Sequence, residues 1–110
     1  MADEFTTANN HCLFFLDTDG QFAYLNESCC MDLGYAREEL IAQAVNELGM
    51  LADCQDLKSM FNLCILGKTN LIETTVRRKD GATFPAKIDI THVLYGRRML
   101  FRCDLHRING

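Results

Sequence analysis

LIETTVRRKDGATFPAKIDIT, residues 71–91, is the stretch whose pattern decides the fold. Residues 71–78 are rich in Thr, Ile and Val, the composition of a strand. Lys79-Asp80-Gly81 supplies a turn, because Asp bonds its own backbone and Gly tolerates the bend. Phe84, Ala86, Ile88 and Ile90 then alternate with Pro85, Lys87, Asp89 and Thr91. A two-residue period of this kind marks a strand with one buried face. Pro85 lies near the strand start, where a missing N–H is tolerated. Tyr95-Gly96 marks the next turn, and residues 98–105 read as a last strand. Strands joined by such turns are antiparallel neighbours.

Working back towards the N-terminus, residues 11–16 and 21–25 form two apolar runs around Asp17-Thr18-Asp19-Gly20, a strong hairpin signal. Asn26 can cap a short helix that places Cys29, Cys30 and Leu33 on its apolar side and stops at Gly34. Residues 36–41 predict another short helix. Glu39 stands where the second half of a capping box belongs, but Ala36 has no side-chain acceptor for the first half. Val45 and Leu48 continue the apolar series to Gly49. The clearest helix spans residues 53–66, where Leu57, Met60, Phe61, Cys64 and Ile65 fall at i, i+3, i+4, i+7 and i+8. Gly67 is its stop. Two strands, several helices and three strands indicate an α+β domain with its helices over one sheet face.

The chain has 110 residues, the size of one domain. We divide it into a polar lead-in over residues 1–10, helical or disordered, a domain over 11–108 and a tail at 109–110. A hydrophobic fraction of 48% and a charged fraction of 24% are those of a globular protein. The net charge of -4 weighs against nucleic acid and anionic membranes as partners. No apolar run approaches the roughly 18 residues that span a bilayer, and the acidic N-terminus lacks a signal-peptide pattern. Cysteines at 12, 29, 30, 54, 64 and 103 show no CxxC pair. They are read as free, mostly buried thiols, which places the chain in the cytoplasm.

Four blocks in order carry a resemblance. Phe14-Phe15-Leu16-Asp17-Thr18-Asp19-Gly20 with Tyr24-Leu25-Asn26 resembles the opening of PAS sensor domains. Leu33-Gly34-Tyr35 with Arg37-Glu38-Glu39-Leu40-Ile41 is similar to their "LGY…EEL" stretch. Arg77-Arg78-Lys79-Asp80-Gly81 with Phe84-Pro85 resembles the "RRKDG…FP" hairpin. Asp104 stands where a terminal Asp-Ile-Thr begins, although Leu105-His106 follows it here. Ala36 also departs from the usual Ser or Thr cap. The resemblance implies a five-stranded antiparallel sheet in the order 2-1-5-4-3, with helices enclosing a cavity over one face. In the family that cavity holds haem, flavin, a small metabolite or nothing. Such domains usually feed a histidine kinase, a cyclic-dinucleotide enzyme such as a diguanylate cyclase, or a transcription regulator. The expected function is a sensory input module that binds a small ligand, forms a homodimer, or both. A ligand-free interaction module is the alternative.

Specific chemistry finds little support in the residues. No Asn-Cys-Arg motif is present for a cysteinyl-flavin photosensor, and Cys54 lies between Asp53 and Gln55. No His falls within 53–66 to ligate haem iron; His11, His92 and His106 sit at strand edges. The cofactor therefore stays unassigned, with haem and cysteinyl-flavin disfavoured. Asp17 and Asp19 are too few for a Ca²⁺ cage and suit turn stabilisation better. Adjacent Cys29 and Cys30 face different ways on a helix and make a poor redox pair. Hydrolase, P-loop and metalloprotease motifs are absent, so no catalytic residue or metal ligand is assigned. Arg77, Arg78, Lys79, Arg97 and Arg98 cluster at hairpin ends, where charge keeps sheet edges soluble. The candidate cavity lining is Leu57, Met60, Phe61, Cys64, Ile65, Phe84, Ala86, Ile88 and Ile90. Candidate homodimer contacts are Phe5, Leu13, Phe15 and Leu100.

Overall fold

A computed structural model of the chain describes residues 12–41, 43–45, 61–62, 64–67 and 71–108. The expected contributions of Phe5, His11, Leu48, Gly49, Cys54, Leu57 and Met60 lie outside those residues. The elements are β1 (Cys12–Leu16), β2 (Phe22–Leu25), α1 (Glu27–Leu33), α2 (Arg37–Leu40), β3 (Leu71–Arg77), β4 (Thr83–Tyr95) and β5 (Arg98–Arg107). All five strands join one sheet in the order β2-β1-β5-β4-β3. Every pairing is antiparallel. The first strand therefore lies beside the last, and β5 runs down the middle of the sheet.

The alternation in residues 84–90 has the expected consequence. Phe84, Ala86, Ile88 and Ile90 are buried, while Thr83, Pro85, Lys87 and Asp89 are exposed. The same inner face takes Cys12, Phe14 and Leu16 from β1, and Phe101, Cys103 and Leu105 from β5. β2 adds Phe22 and Leu25, and β3 adds Val76. β4 runs on to Tyr95, and β5 extends to Arg107, two residues past the expected end. Ladder bonds to a paired neighbour maintain extended backbone there after the apolar pattern has ended.

β1 differs from β4 because all five of its residues are buried. Leu13 and Phe15 face away from the main core and join Leu100 in a second cluster on the outer face. Phe15 meets Tyr24 edge-on with ring centroids 6.0 Å apart. The adjoining turn forms as its residues require. Asp17 Oδ1 accepts the N–H groups of Asp19 and Gln21 at 2.9 and 3.0 Å, and Gly20 takes a positive φ of 80°.

Asn26 caps α1 and also fastens it to the sheet. Its Oδ1 accepts from Cys29 N at 2.8 Å and from Leu13 N at 3.2 Å. α1 ends at Gly34, in the left-handed conformation with φ 81°. α2 shows the half capping box expected from its sequence. Glu39 Oε1 accepts from Ala36 N at 2.8 Å, and Ala36 offers no side-chain bond in return.

The turn at Lys79-Asp80-Gly81 docks on this helical pair. Lys79 N donates to Leu33 O at 3.0 Å, and Lys79 Nζ meets Glu39 Oε2 at 2.6 Å. The Lys79 hydrogen bond and then the Ala36 N–H lower the Glu39 carboxyl below its ordinary pKa, and Glu39 raises that of Lys79. Stabilisation from Glu39 is thus complete above the ordinary glutamate value and lost as pH falls through the lowered one. Stabilisation from Lys79 is complete below the ordinary lysine value and lost as pH rises through the raised one. Both groups are solvent-exposed, so the effect is small and screened by salt. Glu39→Gln should flatten the fall in stability as pH drops below about 4.3, the ordinary glutamate value. Urea titrations across that range at low salt would measure it, and an unchanged acid limb would show that the pair adds no stability.

Candidate functional site

The helical residues 61–62 and 64–65 cross the inner face of the sheet. Phe61 stacks on Phe101 of β5 with ring centroids 3.8 Å apart and planes 5° from parallel. One turn later Cys64 donates its S–H to Ile90 O of β4 at 3.4 Å. The segment ends at Gly67, which has a positive φ of 74° and donates its N–H to Cys64 O. Two apolar residues at i and i+3 thus face the sheet, because helical geometry puts them on one side.

Of the nine residues proposed to line a cavity, seven are described. Phe61, Cys64, Phe84, Ala86, Ile88 and Ile90 all belong to one continuous buried core. Ile65 remains 41% exposed. Phe61 and Ile65 border a hollow of about 170 Å³, which Phe101, Thr18 and Asn62 complete. Phe84, Ala86, Ile88 and Ile90 do not line it. They belong to the continuous buried core on the inner face of the sheet instead. Phe61 and Ile65 therefore border the hollow, whereas the β4 alternates fill the core.

Three lining residues were not singled out from the sequence. Phe101 carried a usable signal, since Met99, Phe101, Cys103 and Leu105 alternate along β5. Thr18 was read only as part of the hairpin turn, and Asn62, an exposed polar residue, carried no signal. A second hollow of about 350 Å³ lies at the hairpin turn, bordered by Gly34, Arg78, Lys79 and Asp80. Opposite charges share that surface, and Arg78 Nε lies 3.8 Å from Asp80 Oδ1.

The dimer-contact candidates Leu13, Phe15 and Leu100 gather on the outer face, with 4%, 5% and 4% exposure. Ala23, Tyr24 and Val93 pack around them and are partly buried. The residues with more surface left to offer a partner are thus at the rim of the cluster.

Five of the six cysteines are described, and all five are free thiols. Cys12, Cys29, Cys64 and Cys103 are buried, and Cys30 is half-buried. A hydrogen bond with Cys29, followed by burial, raises the Cys12 thiol well above its usual pKa. Burial likewise raises Cys30 and Cys64. The thiolate is the reactive form, so these groups behave as small apolar side chains near neutral pH. His92 and His106 are exposed on β4 and β5. Among the described residues, no group of three or more His, Cys, Asp or Glu is placed to hold a metal ion. No helix among them is long and apolar enough to cross a membrane.

A five-stranded antiparallel 2-1-5-4-3 sheet, with short helices and a hollow on its inner face, defines a single-sheet α+β domain. The sequence profile of the PAS domain family matches residues 10–103, so the chain belongs to that family. It is a PAS sensory domain, a type of module that is typically not itself catalytic.

Solved structures agree on the fold. A PAS domain from a two-component sensor histidine kinase shares 21% identity at a TM-score of 0.75, covering 91% of this chain and 86% of that one. The PAS domain of an HTR-like protein from Haloarcula marismortui gives 19% identity and 0.79, covering 94% and 90%. A PAS domain from Desulfitobacterium hafniense gives 19% identity and 0.78, covering 96% and 100%. No curated protein matches the chain.

Proposed function

We propose that this chain is the input module of a bacterial-type signalling protein. It would bind a small ligand beside the Phe61–Phe101 stack and work as a homodimer in the cytoplasm. The output would be a histidine kinase, as in the two-component relative, or a cyclic-dinucleotide enzyme such as a diguanylate cyclase. The observation that supports ligand binding is the hollow itself. It is bordered by a helical segment on one side and by a central strand on the other. An occupant there touches two elements at once. It shifts the domain between two arrangements by the difference in its affinity for them.

A ligand-free docking module is the rival role. It is favoured by the closed core at Phe84, Ala86, Ile88 and Ile90, and by the second apolar cluster on the outer face. Native mass spectrometry and an absorbance spectrum of the purified chain separate the two. A co-purifying small molecule of stoichiometric mass supports sensing. An empty homodimer whose mass is unchanged by added cell metabolites supports docking and ends the ligand proposal.

A further inference from the structure

We infer that residues 1–11 of this chain lie across the outer face of the sheet, over Leu13, Phe15 and Leu100, and hold the surface that a second copy would otherwise take. The observation is burial on a face where no second layer is described. Those three side chains keep only 4%, 5% and 4% of their exposure. They form a cluster of their own, separate from the inner core. The free face of an antiparallel sheet meets water unless something packs on it.

The sheet does not supply that cover itself. Among the described residues, the apolar side chains packed on the cluster are Ala23 and Tyr24 of β2 and Val93 of β4. All three stand in the same sheet and are themselves only partly buried. Side chains of a sheet stand roughly perpendicular to it, so neighbours screen the flanks of Leu13 and Leu100 and leave their ends open. Arg102, the next residue of β5 on that face, is turned to Asp104 at 3.1 Å.

Chain connection selects the covering segment. Residues 46–60 join Val45 to Phe61, and both belong to the inner core. The single positions 42 and 63 adjoin segments that Leu40 and Cys64 anchor in that same core. Residues 68–70 lead into β3, three strands away from β1. Residues 109–110 reach roughly 7 Å, whereas Leu100 lies seven residues before Arg107, roughly 23 Å along the strand. Residues 1–11 run directly into Cys12, beside Leu13. Folded back as a helix they extend about 16 Å, close to the roughly 17 Å of the five-residue strand β1.

The segment has a suitable surface. Met1, Phe5 and Ala8 fall at i, i+4 and i+7, one apolar face of a helix. Asp3 and Glu4 precede Phe5, and β5 carries Arg98 and Arg102 on either side of Leu100, on the same face. Opposite charges there set the orientation more than the strength of the contact. One surface thus has two competing occupants, and self-association through Leu13, Phe15 and Leu100 requires the lead-in to leave first. This goes beyond the homodimer proposed above and holds with or without a bound ligand.

The test is NMR on the full 110-residue chain. Uniformly labelled protein should give nuclear Overhauser contacts from the Phe5 ring to the methyl groups of Leu13 and Leu100. A mixture of labelled and unlabelled chains, filtered for contacts between chains, should lose them. Phe5→Glu should abolish the contacts and raise the fluorescence of a dye that binds exposed apolar surface, while the circular dichroism spectrum stays native. Phe5→Leu should restore the low dye signal. Contacts that survive the filter would overturn the inference and make a second copy the occupant. Absence of any contact from Phe5, or a Phe5→Glu variant as closed to dye as the parent, would overturn it too. Contacts within one chain, in a protein that sediments as a monomer, support the cover and count against the homodimer.

Discussion

Replacing Phe101 with alanine should destabilise the domain by about 3–5 kcal/mol, the range for losing a buried aromatic ring. Phe101 is 1% exposed and sits on β5, between β1 and β4. Its ring forms one side of the stack with Phe61. The loss combines transfer of the ring to water with the cavity left among neighbours that relax only partly. The stack adds about 0.5–1.5 kcal/mol beyond buried area, so Phe61→Ala and the double variant should show coupling. Domains of this size are stable by only about 5–15 kcal/mol in total. Phe101→Leu, which refills part of the space, keeps the measurement within reach if the alanine variant unfolds. Urea denaturation gives the values, with an unchanged slope confirming two-state behaviour. A loss below about 1 kcal/mol for Phe101→Ala would mean that the helical segment is not firmly seated on the sheet.

Asn26→Ala should cost about 2–4 kcal/mol, although the residue is only half-buried. One carboxamide oxygen serves two N–H groups, one on the helix and one on the sheet. Loss of the cap accounts for about 1 kcal/mol. Leaving the Leu13 N–H unpaired inside the fold accounts for about 1–3 kcal/mol more. Asn26→Asp retains an acceptor and adds a charge that a helix N-terminus favours. It should therefore recover most of the loss. The same denaturation series decides the matter. If Asp is as damaging as Ala, the accepted bonds are not the source of the effect.

Much of the fold was legible because local chemistry and global architecture agree. The alternation of Phe84, Ala86, Ile88 and Ile90, the Asp-Gly turns, the Asn26 cap and the Gly34 and Gly67 stops each act over a few residues. Strand order was not readable from them. Nothing in Cys12–Leu16 says that it lies beside Arg98–Arg107, because that pairing joins opposite ends of the chain. The resemblance supplied it. The site was less visible still. Apolar periodicity identified Phe61 and Ile65 but could not separate residues that border a hollow from those that fill a core, such as Ile88. Both classes obey the same pattern, and only packing distinguishes them. The contact between Lys79 and Glu39 was hidden for a similar reason. Each lies in a recognisable motif, but their meeting depends on how α2 and the hairpin turn are brought together.

The five consecutive buried residues of β1 constrain how a stimulus could cross the sheet. Sliding this strand by one position would exchange Phe14 with Phe15 between opposite sides, stripping both apolar surfaces of their partners at once. Translation along the strand is thereby locked out. A message passing from one surface to the other must travel as a change in twist or tilt, with each residue keeping its own side.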